Sequence, residues 1–279
     1  MTGLRVFTQE PIGLAYLARG QGPDHQAAFR RFVESYRRVR SGAGHQLYVI
    51  FKGFESAEDL RAGHAVFAGV DHTAIETDDA SFDIGAYAQA LALMQERFVC
   101  FLNTHSEIIA DRWLGKLAVN LARPGIELVG ATGSFESLRD QGPHFPMFPN
   151  VHVRSNAFMI RRARLETIWS SLRVRTKLDA FLSESGPASL TRRILGMGFN
   201  VLLVGADGRG YKPQEWPTSG IFRQGFQPNL LVHDNVTRRF EMDDYLEKKR
   251  SAKRAWGIMG GQERGPLAPG ELSLYGEPE

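Results

Sequence analysis

The sequence predicts an α/β fold, a single large domain around a mostly parallel central sheet. Short apolar runs of strand length alternate with longer segments whose apolar residues recur at helical spacing, the pattern of βαβ units joined by right-handed crossovers. Several of the short runs stop abruptly at polar clusters, as buried strands do where they deliver polar groups to their carboxyl ends. With 279 residues and 43% hydrophobic content, the chain can bury a full core.

Residues 12–18 are short and apolar and end at Arg19-Gly20, which reads as a first strand with a cation at its end. Phe29, Phe32, Val33, Tyr36 and Val39 then recur at helical spacing, with Arg30, Arg31, Arg37, Arg38 and Arg40 on other faces, before Gly42 and Gly44 stop the helix. Arginines scattered in this way read as a solvated face rather than a polyanion site. Residues 47–51 give a second strand ending at Lys52-Gly53-Phe54. A short helical piece over 57–65 leads to a third strand at 73–77, which ends at Asp78-Asp79. Asp83-Ile-Gly85 opens the next helix, with Ile84, Tyr87, Leu91 and Met94 on one side and Asp83 as its cap.

The strand at 98–102 is the one around which the chain is organised: five apolar residues, then Asn103, Thr104, His105, Ser106 and Glu107. Simple capping is the plain alternative to a ligand site there, because any βα loop is polar. Trp113, Leu114, Leu117 and Leu121 mark a helix closed by Arg123-Pro124-Gly125, and 126–129 is the next strand. Residues 133–150, rich in Gly, Pro and Phe, read as a long functional loop between two halves. Residues 151–160 read as one strand with Asn156 in its middle, followed by a basic turn at 161–164. Short helices at 178–184 and 188–195 meet at Ser185-Gly186-Pro187 with Glu184 at the break, and 200–204 is the last buried strand. Residues 205–227 are loop-rich and carry Trp216, Phe222 and Phe226, after which 230–235 repeat an apolar run that ends in His233, Asp234 and Asn235. A basic helix over 238–256 is expected to pack on the body, and the Gly, Pro and Glu beyond it predict a disordered end. The expected division is a catalytic body at 1–240 and, at 241–279, a C-terminal helix and tail.

A net charge of +3 does not imply nucleic-acid binding, which needs a concentrated basic face, so nucleic acid is not an expected partner. Cys100, the single cysteine, lies inside an apolar run, which excludes an intramolecular disulfide and points to a reducing, cytoplasmic compartment. No run approaches the roughly 20 apolar residues that span a bilayer, so the expectation is a cytoplasmic chain, peripheral at most at the inner face of the membrane.

Several pieces come in a telling order: Asp83-Ile-Gly85, Phe101-Leu102-Asn103-Thr104-His105, Trp113-Leu114, Leu128-Val129-Gly130, the strand from Ser155-Asn156 to Arg161-Arg162, and Glu184-Ser185 before Ser189-Leu190-Thr191-Arg192. Over residues 10–240 this order resembles the bacterial family 2 glycosyltransferases and the related rhamnan-synthesis type transferases, which have the glycosyltransferase A-like, Rossmann-like fold. The resemblance implies a hexosyltransferase that moves a sugar from a nucleotide-sugar donor to a saccharide or glycoconjugate acceptor, in surface polysaccharide synthesis. It sets Asn103-Thr104-His105 at the family's Asp-x-Asp position and Glu184 where the family has its base.

Transfer from such a donor leaves a diphosphate, whose growing negative charge is met by a metal ion, by Arg, Lys or His, or by helix amino termini. Arg19, Lys52, Asn103 and His105 are the expected donor-binding residues, with Asp79, Asp83 and Gly85 toward the ribose or base. The resemblance leaves room for a divalent cation, Mn²⁺ or Mg²⁺, at His105 and His233, although an amide and an imidazole have replaced two hard carboxylates. An acceptor hydroxyl is a poor nucleophile until a carboxylate takes its proton; Glu184 is the candidate, with Glu107 and Asp234 in reserve. The alternative is a non-catalytic nucleotide-binding or scaffolding domain of the same fold. A nucleotidyltransferase would need a glycine-rich signature and paired acids for metal ions, and no such glycine-rich amino terminus is seen here. Weak peripheral contact of the basic tail with anionic lipid is a further expectation, opposed by Glu241, Asp243, Asp244 and Glu247.

Overall fold

The computed structural model describes residues 11–257 except 23, 78–81, 171–173 and 175. Asp79 and the expected disordered end lie outside the described residues. The chain lays down β1 (Ile12–Arg19), α1 (His25–Arg38), β2 (His45–Lys52), α2 (Ala57–Val66), β3 (Thr73–Thr77), α3 (Phe82–Leu93) and β4 (Phe98–Leu102). Then come β5 (Glu107–Ile108), α4 (Trp113–Leu121), β6 (Ile126–Gly130), β7 (Gly133–Ser134), β8 (His152–Val153), β9 (Ala157–Arg161) and α5 (Arg162–Trp169). The last third holds α6 (Lys177–Ser185), α7 (Leu190–Gly196), β10 (Asn200–Val204), β11 (Gly210–Tyr211), β12 (Val232–His233), α8 (Asn235–Met242) and α9 (Tyr245–Trp256).

Among the described residues, the main sheet has the strand order β11-β10-β6-β9-β4-β1-β2-β3, and two small ribbons pair β12 with β5 and β7 with β8. The class is α/β with a mostly parallel sheet, as expected, but β9 runs antiparallel between β4 and β6, and β11 antiparallel at the edge beside β10. Alternation along β1 divides the core. Leu14, Tyr16 and Ala18 face a cluster that includes Phe29 and Phe32 of α1 and Trp113 and Leu117 of α4, whereas Ala15 and Leu17 face Tyr87 of α3, Phe158, Trp216 and Trp256.

Four expectations change. The strand expected over 151–160 is two strands, because Arg154, Ser155 and Asn156 turn the chain out of one ribbon and into the main sheet. The Arg154 amide donates to the Thr132 carbonyl (3.0 Å), and the Asn156 carbonyl accepts from the Asn103 amide (2.9 Å). The basic turn at 161–164 is the end of β9 and the start of α5, where Arg161 and Arg164 both reach Glu127 (3.1 and 3.6 Å) and Arg162 supports the helix by pairing with Glu166 one turn on (2.7 Å). The helix expected over 238–256 is two, since Asp243 turns extended after the first and Asp244 caps the second by accepting from the Glu247 amide. Asp83 is not the cap of its helix; it sits inside the first turn of α3, where a carboxylate suits the helix dipole and turns toward Arg19. The two loop regions are also more ordered than their composition: Trp216 and Phe222 are core residues, and Phe145 is buried. No helix among the described residues is long and apolar enough to cross a membrane.

Candidate active site

The polar turn after β4 is held from three sides. The buried Tyr16 hydroxyl donates to the Thr104 carbonyl (2.6 Å), and the Arg19 amide at the end of β1 donates to the Thr104 hydroxyl (3.3 Å). Ser106 closes the turn on itself, its hydroxyl donating to Asn103 Oδ1 (3.0 Å). From α8, Arg238 reaches back across the β5/β12 ribbon, donating to the His105 carbonyl (3.0 Å) and pairing with Glu107 (3.2 Å). Burial and the neighbouring Arg238 push the His105 imidazole below its usual range, so it is neutral at pH 7.

The adjoining wall comes from β1 and α3. Arg19 Nη1 stands 3.8 Å from Asp83 Oδ1, so Arg19, Asp83 and Thr104 meet at the carboxyl ends of neighbouring strands. Gly85 follows in the same helical turn, partly buried. Lys52 is paired in register with Arg19 on the next strand; its side chain is buried, and its carbonyl accepts from the Gly20 amide (2.8 Å).

Glu184 lies near the end of α6. The Ser155 amide donates to its Oε2 (2.9 Å), and so does the Ser155 hydroxyl. Beside it opens a shallow cleft lined by Tyr87, Arg154, Ser155, Phe158, Trp169 and Glu184, among others. Tyr87 is buried, and its hydroxyl has no hydrogen-bond partner among the described residues. Burial first, then the carboxylates of Asp83 and Glu184, hold its proton firmly. Because α3 carries both Asp83 and Tyr87, it joins the Arg19 wall to the Glu184 cleft.

The reserve carboxylates have other work. Asp234 is fully buried, caps α8 by accepting from the Thr237 amide (2.8 Å), and pairs with Arg154 (2.9 Å). Glu107 is engaged by Arg238. His233 has one ring nitrogen 3.1 Å from the Thr237 hydroxyl and the other 3.4 Å from Glu241. No group of three or more His, Cys, Asp or Glu among the described residues could hold a metal ion. With Asn103 Oδ1 turned to Ser106 and both His233 nitrogens engaged, the side chains present do not fit a divalent cation.

By sequence the chain matches no family model and no curated protein. By structure it is similar to the mannosyltransferase PcManGT from Pyrobaculum calidifontis in complex with GDP-Man and Mn²⁺, at 12% identity and a TM-score of 0.47, over 69% of this chain and 54% of that one. It is also similar to glucosyl-3-phosphoglycerate synthase from Mycobacterium tuberculosis in complex with Mn²⁺, UDP and phosphoglyceric acid, at 13% identity and a TM-score of 0.42, over 58% and 60% of the two chains. A third likeness is to the 4-diphosphocytidyl-2C-methyl-D-erythritol synthase from Anaerococcus prevotii, at 11% identity and a TM-score of 0.45, over 70% and 88%. The chain thus spans little more than half the length of the mannosyltransferase.

Three arginines at the site escape a reading of the sequence. Arg31 is hidden among the arginines of α1, Arg154 follows a strand-like run, and Arg238 belongs to the basic tail. One signal was available for Arg31. Ser35, one turn further along the same helix face, is a buried polar residue within an apolar stripe, and it accepts from the Ile108 amide (3.1 Å). That face of α1 therefore covers the turn after β4.

Proposed function

We propose that this chain is a nucleotide-sugar-dependent glycosyltransferase, passing a hexosyl group to a saccharide or glycoconjugate acceptor in polysaccharide synthesis. One observation carries the reading: a carboxylate with a fixed orientation, Glu184, opens on a cleft that α3 joins to the Arg19, Asp83 and Thr104 cluster at the strand ends. In the reaction the bond from the anomeric carbon to the diphosphate oxygen breaks as the acceptor oxygen attacks that carbon. The acceptor proton passes to Glu184, and the electron pair leaves with the diphosphate. Ser155 holds Oε2, and Oε1 makes no hydrogen bond among the described residues, which leaves it for the acceptor. On this reading Arg19, Lys52, Asn103 and His105 attend the donor phosphates, and Asp83 with Gly85 the nucleoside.

The test measures donor binding and transfer in the same variant. General bases contribute about 10² to 10⁴-fold, so Glu184→Gln should lower turnover by that order with donor affinity nearly unchanged. Near wild-type turnover would remove Glu184 as the base. A non-catalytic nucleotide-binding or scaffolding domain is the second reading, favoured by the missing carboxylate pair at Asn103-Thr104-His105. It requires donor binding with no transfer in the unaltered protein.

The reading extends to weak peripheral contact with anionic lipid at the inner face of the membrane. Phe226 and Met242 are 85% and 82% exposed, Tyr245 and Leu246 are exposed beside them, and Lys248 and Lys249 stand next to the Phe226 and Tyr245 rings. Apolar side chains fringed by lysines suit an anionic interface.

A further inference from the structure

We infer that Arg31 and Arg238 form a pyrophosphate-binding site that neutralises the anion without a divalent cation. Arg31 is partly buried on α1, its Nε is shut off from solvent without a hydrogen-bond partner, and it has no ion-pair partner among the described residues. Arg238 comes from α8 and pairs with a single carboxylate, Glu107, next to Ile108, whose amide donates to Ser35 one turn along α1 from Arg31 (3.1 Å). Aspartates in the vicinity are already matched: Asp234 with Arg154, and Asp83 with Arg19. Of the two guanidinium groups only Arg238 has a carboxylate partner, and the surplus positive charge is partly desolvated.

A partly buried charge without a counter-charge is costly, and an anionic ligand relieves that cost. The field of this pair is felt locally: after burial, Arg31 is the largest cause that lowers Arg238, and both arginines lower His105. An oxyanion placed between them reverses each of these penalties. The planar guanidinium fork fits phosphate oxygens two at a time, and a pyrophosphate offers enough oxygens to occupy both forks. Since the residues at 103–105 and His233 do not fit a divalent ion, the arginines supply the charge that two carboxylates and a metal would otherwise bring.

The anion site rests on the placement of Arg31 and Arg238 beside β5; only the nucleotide attached to it rests on the transferase reading. Calorimetric titration of the full chain with inorganic pyrophosphate, in EDTA and again with Mn²⁺, tests it. Binding is expected in EDTA, with Mn²⁺ changing the affinity by no more than a few-fold. Arg31→Gln should weaken binding about tenfold or more, as loss of a charged hydrogen-bonding group does, without lowering the melting temperature of the unliganded protein. A requirement for Mn²⁺, or unchanged affinity in Arg31→Gln, would overturn the site. Should Arg31→Gln lower the melting temperature, Arg31→Lys decides: a charge without the fork should bind pyrophosphate several-fold more weakly at an unchanged melting temperature, and affinity equal to that of the unaltered protein would also overturn the site. UDP and GDP separate the two ideas. If they bind no better than pyrophosphate while Arg31→Gln still weakens all three, the anion site stands and the nucleotide-sugar reading falls.

Discussion

Asp234 shows what a carboxylate at this site does when its task is holding structure. Burial alone would raise its pKa, but Arg154 and the amide and hydroxyl of Thr237 outweigh that and hold the carboxyl below its usual range. A group lowered in the folded state contributes stability that is present above its unfolded pKa and is lost as pH falls through the folded value. The melting temperature should therefore decline as pH drops below about 4, and Asp234→Asn should remove part of that acid sensitivity. Asp234→Ala, which strands Arg154, should cost about 3 to 5 kcal/mol by chemical denaturation; a loss under 1 kcal/mol would mean that Arg154 finds water instead. Cys100 makes a simpler case. Burial pushes its thiol far up, so it should resist thiol reagents in the native protein and react once denatured. At this scale the sequence disclosed groups at strand ends, such as Arg19 and the turn from Asn103 to His105, because a buried apolar run marks where its polar end must fall. It did not disclose Arg31, Arg154 or Arg238, whose place at the site depends on long-range contacts that no local pattern encodes.

Between elements, close backbone approach sets the geometry. The amides of Arg112 and Gly115 donate to the carbonyls of Arg40 and Ser41 (2.7 and 3.0 Å), pinning the start of α4 to the turn after α1. A Cβ on Gly115 would meet the Gly42 carbonyl oxygen at 2.6 Å and its carbon at 3.0 Å, both backbone atoms that cannot swing aside. Gly42 itself has a φ of +75°, so the turn has little room to adjust. Gly115→Ala should cost about 1 to 3 kcal/mol in urea unfolding, and an unchanged midpoint would show the 40–44 turn to be compliant. Most strands and helices could be read beforehand because apolar period and length fix them locally; β3, β4, α4 and β10 fall where periodicity puts them. The reversed direction of β9 could not. A strand buried on both faces reads as a continuous apolar run whichever way it points. That reversal is nevertheless what brings Ser155 and Asn156 to the carboxyl end of β4, and with Ser155 the grip on Glu184.

Across the whole molecule, the C-terminal helices close the fold as well as presenting a surface. Trp256 packs edge-on against Phe135 and Phe222, its indole donates to the Phe222 carbonyl (2.7 Å), and the Ala255 carbonyl accepts from the Phe135 amide (2.9 Å). Trp256→Ala should therefore cost about 3 to 5 kcal/mol, read by chemical denaturation, and a much smaller loss would mean that α9 is only loosely docked. For the same reason, shortening the chain before α9 is a poor test of lipid contact: it bares Phe135 and Phe222, and exposed aromatic surface binds vesicles unspecifically. Point changes on the outer surface avoid this. Phe226 and Leu246 are exposed, and replacing them with serine leaves the Trp256 packing intact. The acids of this region are partly occupied within the protein, Asp243 by Arg239 and Glu247 by Arg250, and Lys248 and Lys249 stand beside the exposed rings. The full chain should float with phosphatidylserine vesicles at low salt, more than with neutral ones, and be released as salt rises past the range where the screening length falls to about 8 Å. The paired variant Phe226→Ser and Leu246→Ser should cut recovery several-fold with no change in melting temperature. Equal recovery from neutral and anionic vesicles, or no effect of the paired variant, would remove the membrane contact and leave these residues as ordinary exposed side chains.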